Sequence, residues 1–241
     1  MKQKVTFAIA LIAVAAISYA QDTQPEPKDW TFSIGTTAVS KYVGSTGGAL
    51  FVDQACLQTC LMAFHKSGFY AGLWRSVPFD SRFLGTYANE TDEIVGFSKD
   101  VGSWNLDFST TVYDLVPVSD LYAVNLTATA NTGKVRPYGV IEYDIAQSSR
   151  LMPGFIYKAG IRGGVTKIPL QWDLAALGNA GPSPYGGKSD VLSAYRLTLG
   201  WPIPFGVGTL TPGIMVQQRT GRSGGLTADQ TVFQIKYSVS F

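Results

Sequence analysis

Hydrophobic and polar residues alternate strictly along many short stretches of this chain. The stretch WNLDFSTTVYD alternates without a break, with Trp104, Leu106 and Phe108 on one face and Asn105 and Asp107 on the other. This period of two indicates a β-strand, because successive side chains of a strand point to opposite faces. The same pattern returns in LQWDLA, RLTLGW, TPGIMVQQ and TVFQIKYSVSF. The pattern therefore predicts strands that meet an apolar medium on one face and water on the other.

The alternating segments number twelve, and most are close to the roughly 9 to 11 residues that a tilted strand needs to cross a bilayer. They cover residues 30–41, 55–66, 68–77, 92–101, 104–115, 120–131, 135–146, 151–165, 168–178, 190–202, 207–219 and 230–241. Short connections such as KSG, DVGS, NTGK and PIPFGVG alternate with longer ones such as GSTGGALFVD and GNAGPSPYGGKSD. Short turns at one end and longer loops at the other are typical of an outer-membrane barrel.

The closure of such a sheet follows from the chemistry of the bilayer. Every backbone N–H and C=O in lipid must be paired within the protein, so a sheet can cross only as a closed barrel. We therefore predict an all-β fold, a transmembrane antiparallel up-and-down β-barrel of about twelve strands whose last strand pairs with its first. With an even number of strands and a periplasmic N-terminus, the C-terminus also lies in the periplasm, and all the short turns fall on that side. The alternative, a soluble β-sandwich, usually needs fewer alternating segments.

The N-terminal segment has the three parts of a secretory signal peptide. MKQK is basic, VTFAIALIAVAAI is apolar, and SYA before Gln21 is a small-x-small cleavage site. The apolar run is shorter than the roughly 20 residues of a spanning helix, which argues against a membrane anchor. We expect a signal peptide at residues 1–20 and a single barrel domain at residues 21–241, in a bacterial outer membrane.

Composition and charge agree with an exported barrel. The chain is 46% hydrophobic, with 26 Gly, 12 Tyr, 13 Phe and 5 Trp. Its formal charge of +2 falls to zero once Lys2 and Lys4 leave with the signal peptide. A neutral exported chain is not expected to bind nucleic acid.

Aromatic residues mark the predicted membrane band. Trp30, Trp104, Trp172 and Trp201 fall on the outward face near the periplasmic ends of their strands, as girdles of such barrels do, whereas Trp74 falls on the lumenal face. The outward face is expected to contact membrane lipid and lipopolysaccharide. The terminal strand, ending in Phe241, resembles the C-terminal signature that the barrel-assembly machinery of bacteria recognises.

Charged residues on the inward face are the main candidate chemistry. The predicted pore-lining residues are Lys41, Asp92, Asp107, Arg136, Glu142, Asp144, Lys158, Arg162, Asp173, Arg196, Arg219 and Lys236. Most bases fall on the later strands and most acids on the middle ones. This arrangement predicts a basic wall that faces an acidic wall, a transverse field and a slight preference for anions.

The sequence therefore predicts a porin-like channel for passive diffusion of small polar or charged solutes. Selection would come from size exclusion and from the lumenal field, with Lys158, Arg196 and Lys236 near mid-height opposite Asp107, Glu142 and Asp173. Two alternatives stay open. The bases and acids could pair across a filled interior, or the barrel could be non-conducting and use its extracellular loops to bind a partner or ligand.

Catalytic and metal chemistry find little support in the sequence. An outer-membrane phospholipase or lipid A deacylase would need a base for its serine, and the only histidine, His65, precedes a predicted periplasmic turn. Cys56 and Cys60 would be about 13 Å apart on one strand, too far for a disulfide, unless a turn intervenes. We expect no enzyme activity, no metal site and no cofactor.

One part of the chain resembles a known family. SGFYAGLWRS and the following ETDEIVGFS match the pattern of the TorF-like porin family, exported proteins of unknown function, over residues 30–115. The matching positions are Gly68, Tyr70, Gly72, Trp74, Ser76, Glu90, Asp92, Gly96, Phe97 and Ser98. The stretch AVSKYVGSTGG departs from the family, which tends to carry an Asp-Tyr and an Arg-Gly pair there. The resemblance implies a barrel with a porin role.

Overall fold

The structure is a computed structural model that describes residues 29–116, 120–145, 154–165, 167–180, 192–220 and 228–241. The predicted signal peptide lies outside these residues and stays a prediction. The strands are β1 (Trp30–Val39), β2 (Tyr42–Val43), β3 (Leu50–Val52), β4 (Cys56–His65), β5 (Phe69–Pro78), β6 (Glu90–Val101), β7 (Trp104–Leu115), β8 (Leu121–Ala130), β9 (Val135–Ile145), β10 (Gly154–Gly164), β11 (Gln171–Ala180), β12 (Ala194–Gly200), β13 (Ile203–Phe205), β14 (Gly208–Arg219) and β15 (Gln230–Ser240). Among the described residues, no helix is long and apolar enough to cross a membrane.

Twelve of these strands close into one antiparallel barrel, which confirms the predicted fold class. The barrel strands are β1, β4 to β12, β14 and β15, and each pairs with its neighbours in chain order. Closure occurs between β1 and β15, where Ile34 faces Val239 in register. Phe32 and Phe241 extend this pairing with two backbone hydrogen bonds of 2.8 and 2.9 Å. Each of the twelve barrel strands therefore has a partner on both sides, and the barrel sheet has no open edge.

Within the described residues, the predicted strand boundaries agree with the structure within a few residues, and three short strands were not predicted. Residues 146, 151–153 and 190–191 of the predicted strands lie outside the described residues. The strand expected to start at residue 168 begins at Gln171, because Val165 N–H bonds to the Leu170 carbonyl and forms a turn there. Strand β13 lies inside the expected turn after Trp201 and pairs with the start of β14. Strands β2 and β3 form a separate hairpin that pairs only with itself.

The two faces of the barrel wall have opposite chemistry. Outward side chains such as Phe108, Leu126 and Phe233 are large, apolar and exposed. Inward neighbours such as Ser109 and Thr111 are polar and buried. This arrangement is that of a barrel with lipid outside and a polar interior. Every barrel strand separates an apolar outside from a polar interior. For this reason, the period of two in the sequence predicts the strands.

The short turns and the long connections lie at opposite ends of the barrel, and we name the ends accordingly. The short-turn end carries residues 66–68, 102–103 and 131–134, and the long-loop end carries residues 40–55 and 79–89. Trp30, Trp104 and Trp201 are exposed near the short-turn end, while Trp74 points inward. The predicted placement of these tryptophans therefore agrees with the structure.

Two tyrosines lie flat against the inner wall because glycines face them on the next strand. Gly96 pairs with Tyr70, and a Cβ at Gly96 would collide with the Tyr70 ring. Gly160 pairs with Tyr138, and a Cβ there would come within 2.8 Å of the Tyr138 hydroxyl. The missing Cβ atoms keep both rings close to the wall, which leaves room in the lumen.

Candidate pore and its constriction

A hairpin from the long-loop end folds into the barrel. We call residues 42–52, which comprise β2, β3 and their connection, the inner hairpin. Gly44 N–H bonds to the Ala49 carbonyl at 2.8 Å, and Gly48 takes a positive φ of 75° that suits glycine. Tyr42 and Val52 are buried together with the inward residues Met215 of β14 and Val232 of β15. The inner hairpin is thus part of the barrel interior.

Arg196 and Gln217 hold the inner hairpin against strands β12 and β14. The guanidinium of Arg196 donates to the carbonyls of Gly44 and Ser45, each at 2.7 Å, and to Oε1 of Gln217. The amide of Gln217 donates to the Gly48 carbonyl at 2.8 Å. Arg196 is only 6% exposed and Gln217 only 1%. These bonds give the backbone carbonyls of the inner hairpin hydrogen-bond donors from the barrel wall.

The other side of the inner hairpin contacts the opposite wall. The Tyr42 hydroxyl donates a short hydrogen bond to Oε2 of Glu90 on β6. The Tyr42 ring also lies 5.7 Å from the ring of Trp74 on β5. Because the hairpin contacts β12 and β14 on one side and β5 and β6 on the other, it spans the lumen and narrows it.

An acidic pocket lies between the inner hairpin and strands β4 to β9. We use this name for the cavity of about 420 Å³ that contains the carboxylates of Glu90, Asp92 and Glu142. Ser109, Thr111, Tyr113 and Asn125 add hydroxyl and amide groups to its wall. The Tyr113 hydroxyl donates to Glu142 at 3.2 Å. Asp144 follows Glu142 on the same inward face and is fully buried.

A middle chamber lies on the other side of the inner hairpin. It has a volume of about 340 Å³ and is lined by Lys41, Lys158, Asp173 and Arg196, among others. Lys158 Nζ is 4.0 Å from Asp173 and 5.2 Å from the centre of the Tyr138 ring. The Tyr138 hydroxyl donates to Asp173 at 2.9 Å. The charged groups of this chamber are therefore bonded to one another or to neighbouring residues rather than free.

A basic vestibule opens at the short-turn end. It is the largest of the three cavities, about 690 Å³, and its lining includes Arg136, Arg162 and Lys236 against the single carboxylate of Asp173. Arg136 and Lys236 are exposed to solvent. Arg162 is held at the wall by a hydrogen bond of 3.1 Å to Thr129 and by the Tyr138 ring. The vestibule therefore has a net positive charge.

Neighbouring cavities of the described barrel share wall residues. The acidic pocket and the middle chamber share Val43, Ser45 and Gln58 in their walls. The middle chamber and the basic vestibule share Asp173, Thr198 and Gln234. The acidic pocket and the middle chamber thus adjoin each other across the inner hairpin, and the middle chamber adjoins the basic vestibule.

Most of the predicted pore-lining residues lie on inward positions of their strands, but their surroundings differ. The inward group comprises Asp92, Asp107, Arg136, Glu142, Asp144, Lys158, Arg162, Asp173, Arg196 and Lys236. Asp107 accepts a hydrogen bond of 2.8 Å from Tyr70. Lys41 lies beyond the end of β1 and forms an ion pair of 2.8 Å with Asp53. Arg219 is exposed at the long-loop end, where its N–H bonds to Asp229.

Two features of the predicted charge arrangement require correction. Arg196 was expected to face an open lumen near mid-height, but the inner hairpin covers it. The predicted segregation runs across the pore, whereas the structure also separates charge along the axis. The acids Glu142 and Asp144 lie at the long-loop end of β9 and Arg136 at its short-turn end.

The charge pattern alone missed several residues that shape the pore. Gln217 is neutral and was not counted, although its inward position in TPGIMVQQ was visible in the alternation. Glu90 fell two residues before the predicted start of its strand. Tyr42 lay in a connection to which no strand period applied. An inward neutral amide next to an arginine on the neighbouring strand is the signal that could have pointed to Gln217.

Histidine and cysteine occupy structural positions. His65 lies at the short-turn end, with Nδ1 2.7 Å from the Ser67 hydroxyl and its ring 4.7 Å from the centre of the Trp30 ring. Cys56 and Cys60 are free thiols on the continuous strand β4, which fits the predicted separation. Within the described ranges, no group of three or more His, Cys, Asp or Glu side chains could hold a metal ion.

Several solved structures with a similar fold are porins. The KdgM porin matches with a TM-score of 0.58 at 12% identity, over 87% of this chain and 99% of that one. The NanC porin matches with a TM-score of 0.56 at 10% identity, over 86% of this chain and 98% of that one. The chain has the fold of these porins. No protein-family model and no curated protein sequence matches it, so the TorF-like resemblance stays a prediction.

Proposed function

We propose that this protein is a porin-like channel of a Gram-negative outer membrane that lets small polar or charged solutes diffuse passively. The observation that carries the proposal is the set of adjoining polar cavities, which share wall residues, inside a closed barrel with an apolar outer face. Barrels of about 8 strands are filled by side chains, and those of about 16 to 18 hold a water channel. A barrel of twelve strands with a hairpin inside has room for a narrow pore.

The inner hairpin would set the size limit of this pore, and the charged groups would set its preference. A solute that enters from the long-loop end would meet the acidic pocket and the middle chamber on the two sides of the inner hairpin, and the basic vestibule at the short-turn end. The low-dielectric wall of the barrel strengthens the field of each group. Because Arg136 and Lys236 are exposed while Arg196 is covered, the vestibule is the region that attracts anions.

The proposed location also implies partners for the outer surface and for assembly. The exposed apolar side chains of the outward face would contact lipid and lipopolysaccharide. The strand β15 with Phe241 would be recognised by the barrel-assembly machinery. In support, this strand closes the barrel by pairing with β1, and the Phe241 ring stacks near Phe32 at 6.0 Å.

Single-channel recording of the refolded protein in a planar bilayer tests the proposal. We expect discrete current steps in symmetric KCl, because water in the adjoining cavities would carry ions through the barrel. Folding is checked independently by heat-modifiable migration on gels. A folded protein that gives no current steps would contradict the channel function and would shift attention to a non-conducting barrel with binding loops.

A further inference from the structure

We propose that the acidic pocket binds a small organic cation with a primary ammonium group. This inference rests on the proposed function, because a solute of the channel would occupy the pocket on its way past the inner hairpin. It also differs from the predicted slight preference of the lumen for anions. The argument depends on the carboxylates, on one unpartnered oxygen and on the aromatic groups of the pocket.

Among the described residues, no cationic side chain forms an ion pair with the carboxylates around the inner hairpin. Ion pairs between described residues link Lys41 with Asp53, Lys66 with Asp29, Arg82 with Asp80 and Lys158 with Asp173. None of these pairs involves Glu90, Asp92, Glu142 or Asp144, which are all buried. A buried carboxylate without a partner is costly, and a bound ammonium group would offset that cost.

Asp92 is the residue best placed to receive such a group. It lies on β6, is only 8% exposed and faces the acidic pocket. Its Oδ1 atom is buried and has no hydrogen-bond partner among the described residues. Glu90 accepts from Tyr42, Glu142 accepts from Tyr113, and the carboxyl groups of Glu90 and Asp92 lie within hydrogen-bond reach of each other. Asp92 thus lacks a donor at the wall of the pocket, and an N–H group of a ligand next to the two carboxyl groups would supply one.

Aromatic rings lie beside this carboxylate. Trp74 on β5 is the cross-strand partner of Asp92, and the Tyr42 ring of the inner hairpin lies 5.7 Å from the Trp74 ring. Both residues line the acidic pocket. Electron-rich faces attract ammonium groups, and tryptophan does so best. A carboxylate next to two such rings favours an organic cation over a neutral solute.

The size and the remaining lining of the pocket fit a small ligand. Its volume of about 420 Å³ lies in the range of small-molecule sites. Ser109, Thr111 and Asn125 provide neutral polar groups around the carboxylates. No lysine or arginine lines the pocket among the described residues, so an anion would find no charged partner there.

The test measures binding of butylammonium chloride to the refolded full-length mature protein in detergent by titration calorimetry. Butanol and sodium butyrate serve as the neutral and anionic probes of the same length. We expect saturable binding of butylammonium and none of the other two. Equal binding of butanol, or no binding of butylammonium, would overturn the proposal.

Two substitutions and one control locate the site. Asp92→Asn keeps the shape of the side chain and removes its charge, so binding should weaken by roughly tenfold or more, as for loss of a charge-assisted hydrogen bond. Trp74→Leu should also weaken binding of butylammonium, because it removes an aromatic ring that attracts the ammonium group. Asp107→Asn makes the same change outside the acidic pocket and should leave binding unchanged. If Asp107→Asn weakens binding as much as Asp92→Asn, the site lies elsewhere and the proposal is wrong.

Recording in KCl separates this inference from the proposed function. A conducting channel that does not bind butylammonium would contradict the cation site alone. A protein that binds butylammonium but gives no current steps would contradict the channel function and would support the cation site. Heat-modifiable migration of each variant shows that it has folded, so that a loss of binding is not due to a loss of structure.

Discussion

The two halves of the lumen treat their charged residues differently. In the long-loop half, the inner hairpin covers Arg196 and leaves buried carboxylates beside it. In the short-turn half, Arg136 and Lys236 remain exposed in a wide vestibule. One half therefore uses an arginine to hold the backbone in place, and the other presents its basic groups to solutes. The number of charged residues on an inner wall therefore does not by itself determine the electric field in the pore. The field also depends on whether each charged group is covered by the protein or exposed to the pore.

Removing the tip of the inner hairpin should have the largest effect on this contrast. Replacement of residues 44–49 by Asn-Gly, a pair suited to a tight hairpin, would remove the part that crosses the lumen. We expect the single-channel conductance to rise several-fold, since the narrowest section would widen. Ser45→Ala is the control, because Arg196 contacts only the backbone carbonyl of Ser45. Unchanged conductance after removal of the tip would show that the hairpin is not the constriction.

Arg196→Lys should have an intermediate effect, and mainly on stability. Lysine keeps the charge but lacks the planar fork that serves Gly44, Ser45 and Gln217 together. Loss of these hydrogen bonds from a charged group should lower the free energy of unfolding by about 1–3 kcal/mol, measured by urea titration in detergent. Arg162→Lys is the matched change in the basic vestibule, where the guanidinium donates to Thr129. An equal loss in both variants would contradict the special role of Arg196.

Neutralising the vestibule should have the smallest effect on the structure and act on selectivity alone. The double change Arg136→Gln with Lys236→Gln should shift the reversal potential in a KCl gradient toward the equilibrium potential of potassium. The shift should be larger near 0.1 M than near 1 M salt, because the screening length falls from about 10 Å to about 3 Å.

A matched pair of substitutions controls for the loss of two positive charges. Arg75→Gln with Lys99→Gln removes the same charge from exposed outward positions of β5 and β6. We expect the reversal potential of this variant to equal that of the unmodified protein. If both double variants shift it equally, the field of the vestibule does not control selectivity.

The barrel could be predicted from the sequence because one physical constraint acts on every strand. Each strand separates lipid from a polar interior, so Leu106 and Phe108 alternate with Asp107 and Ser109 without exception. The same constraint fixes closure, since an unpaired edge cannot remain in lipid. Strand β13 was missed because its exposed residues Ile203 and Phe205 lie in a turn rich in proline and glycine.

The constriction could not be predicted, because its contacts connect distant parts of the chain. Gly44 and Arg196 are 152 residues apart in sequence, and their bond involves a backbone carbonyl that no side-chain pattern reveals. The stretch from Gly44 to Gly48 is rich in glycine, which fits an outer loop as well as an inner hairpin. Candidate charges could therefore be named from the alternation, but not which of them the hairpin would cover.

The bonds that hold the inner hairpin have a consequence for how this pore can evolve. Arg196 and Gln217 contact the carbonyls of Gly44, Ser45 and Gly48, and these groups exist whatever the side chains are. Mutations at positions 45 and 46 can therefore change the lining of the acidic pocket while the hairpin stays in place. Gly48 is the exception, because its backbone conformation disfavours other residues. The residues that line the acidic pocket can thus change during evolution while the bonds that hold the inner hairpin stay the same.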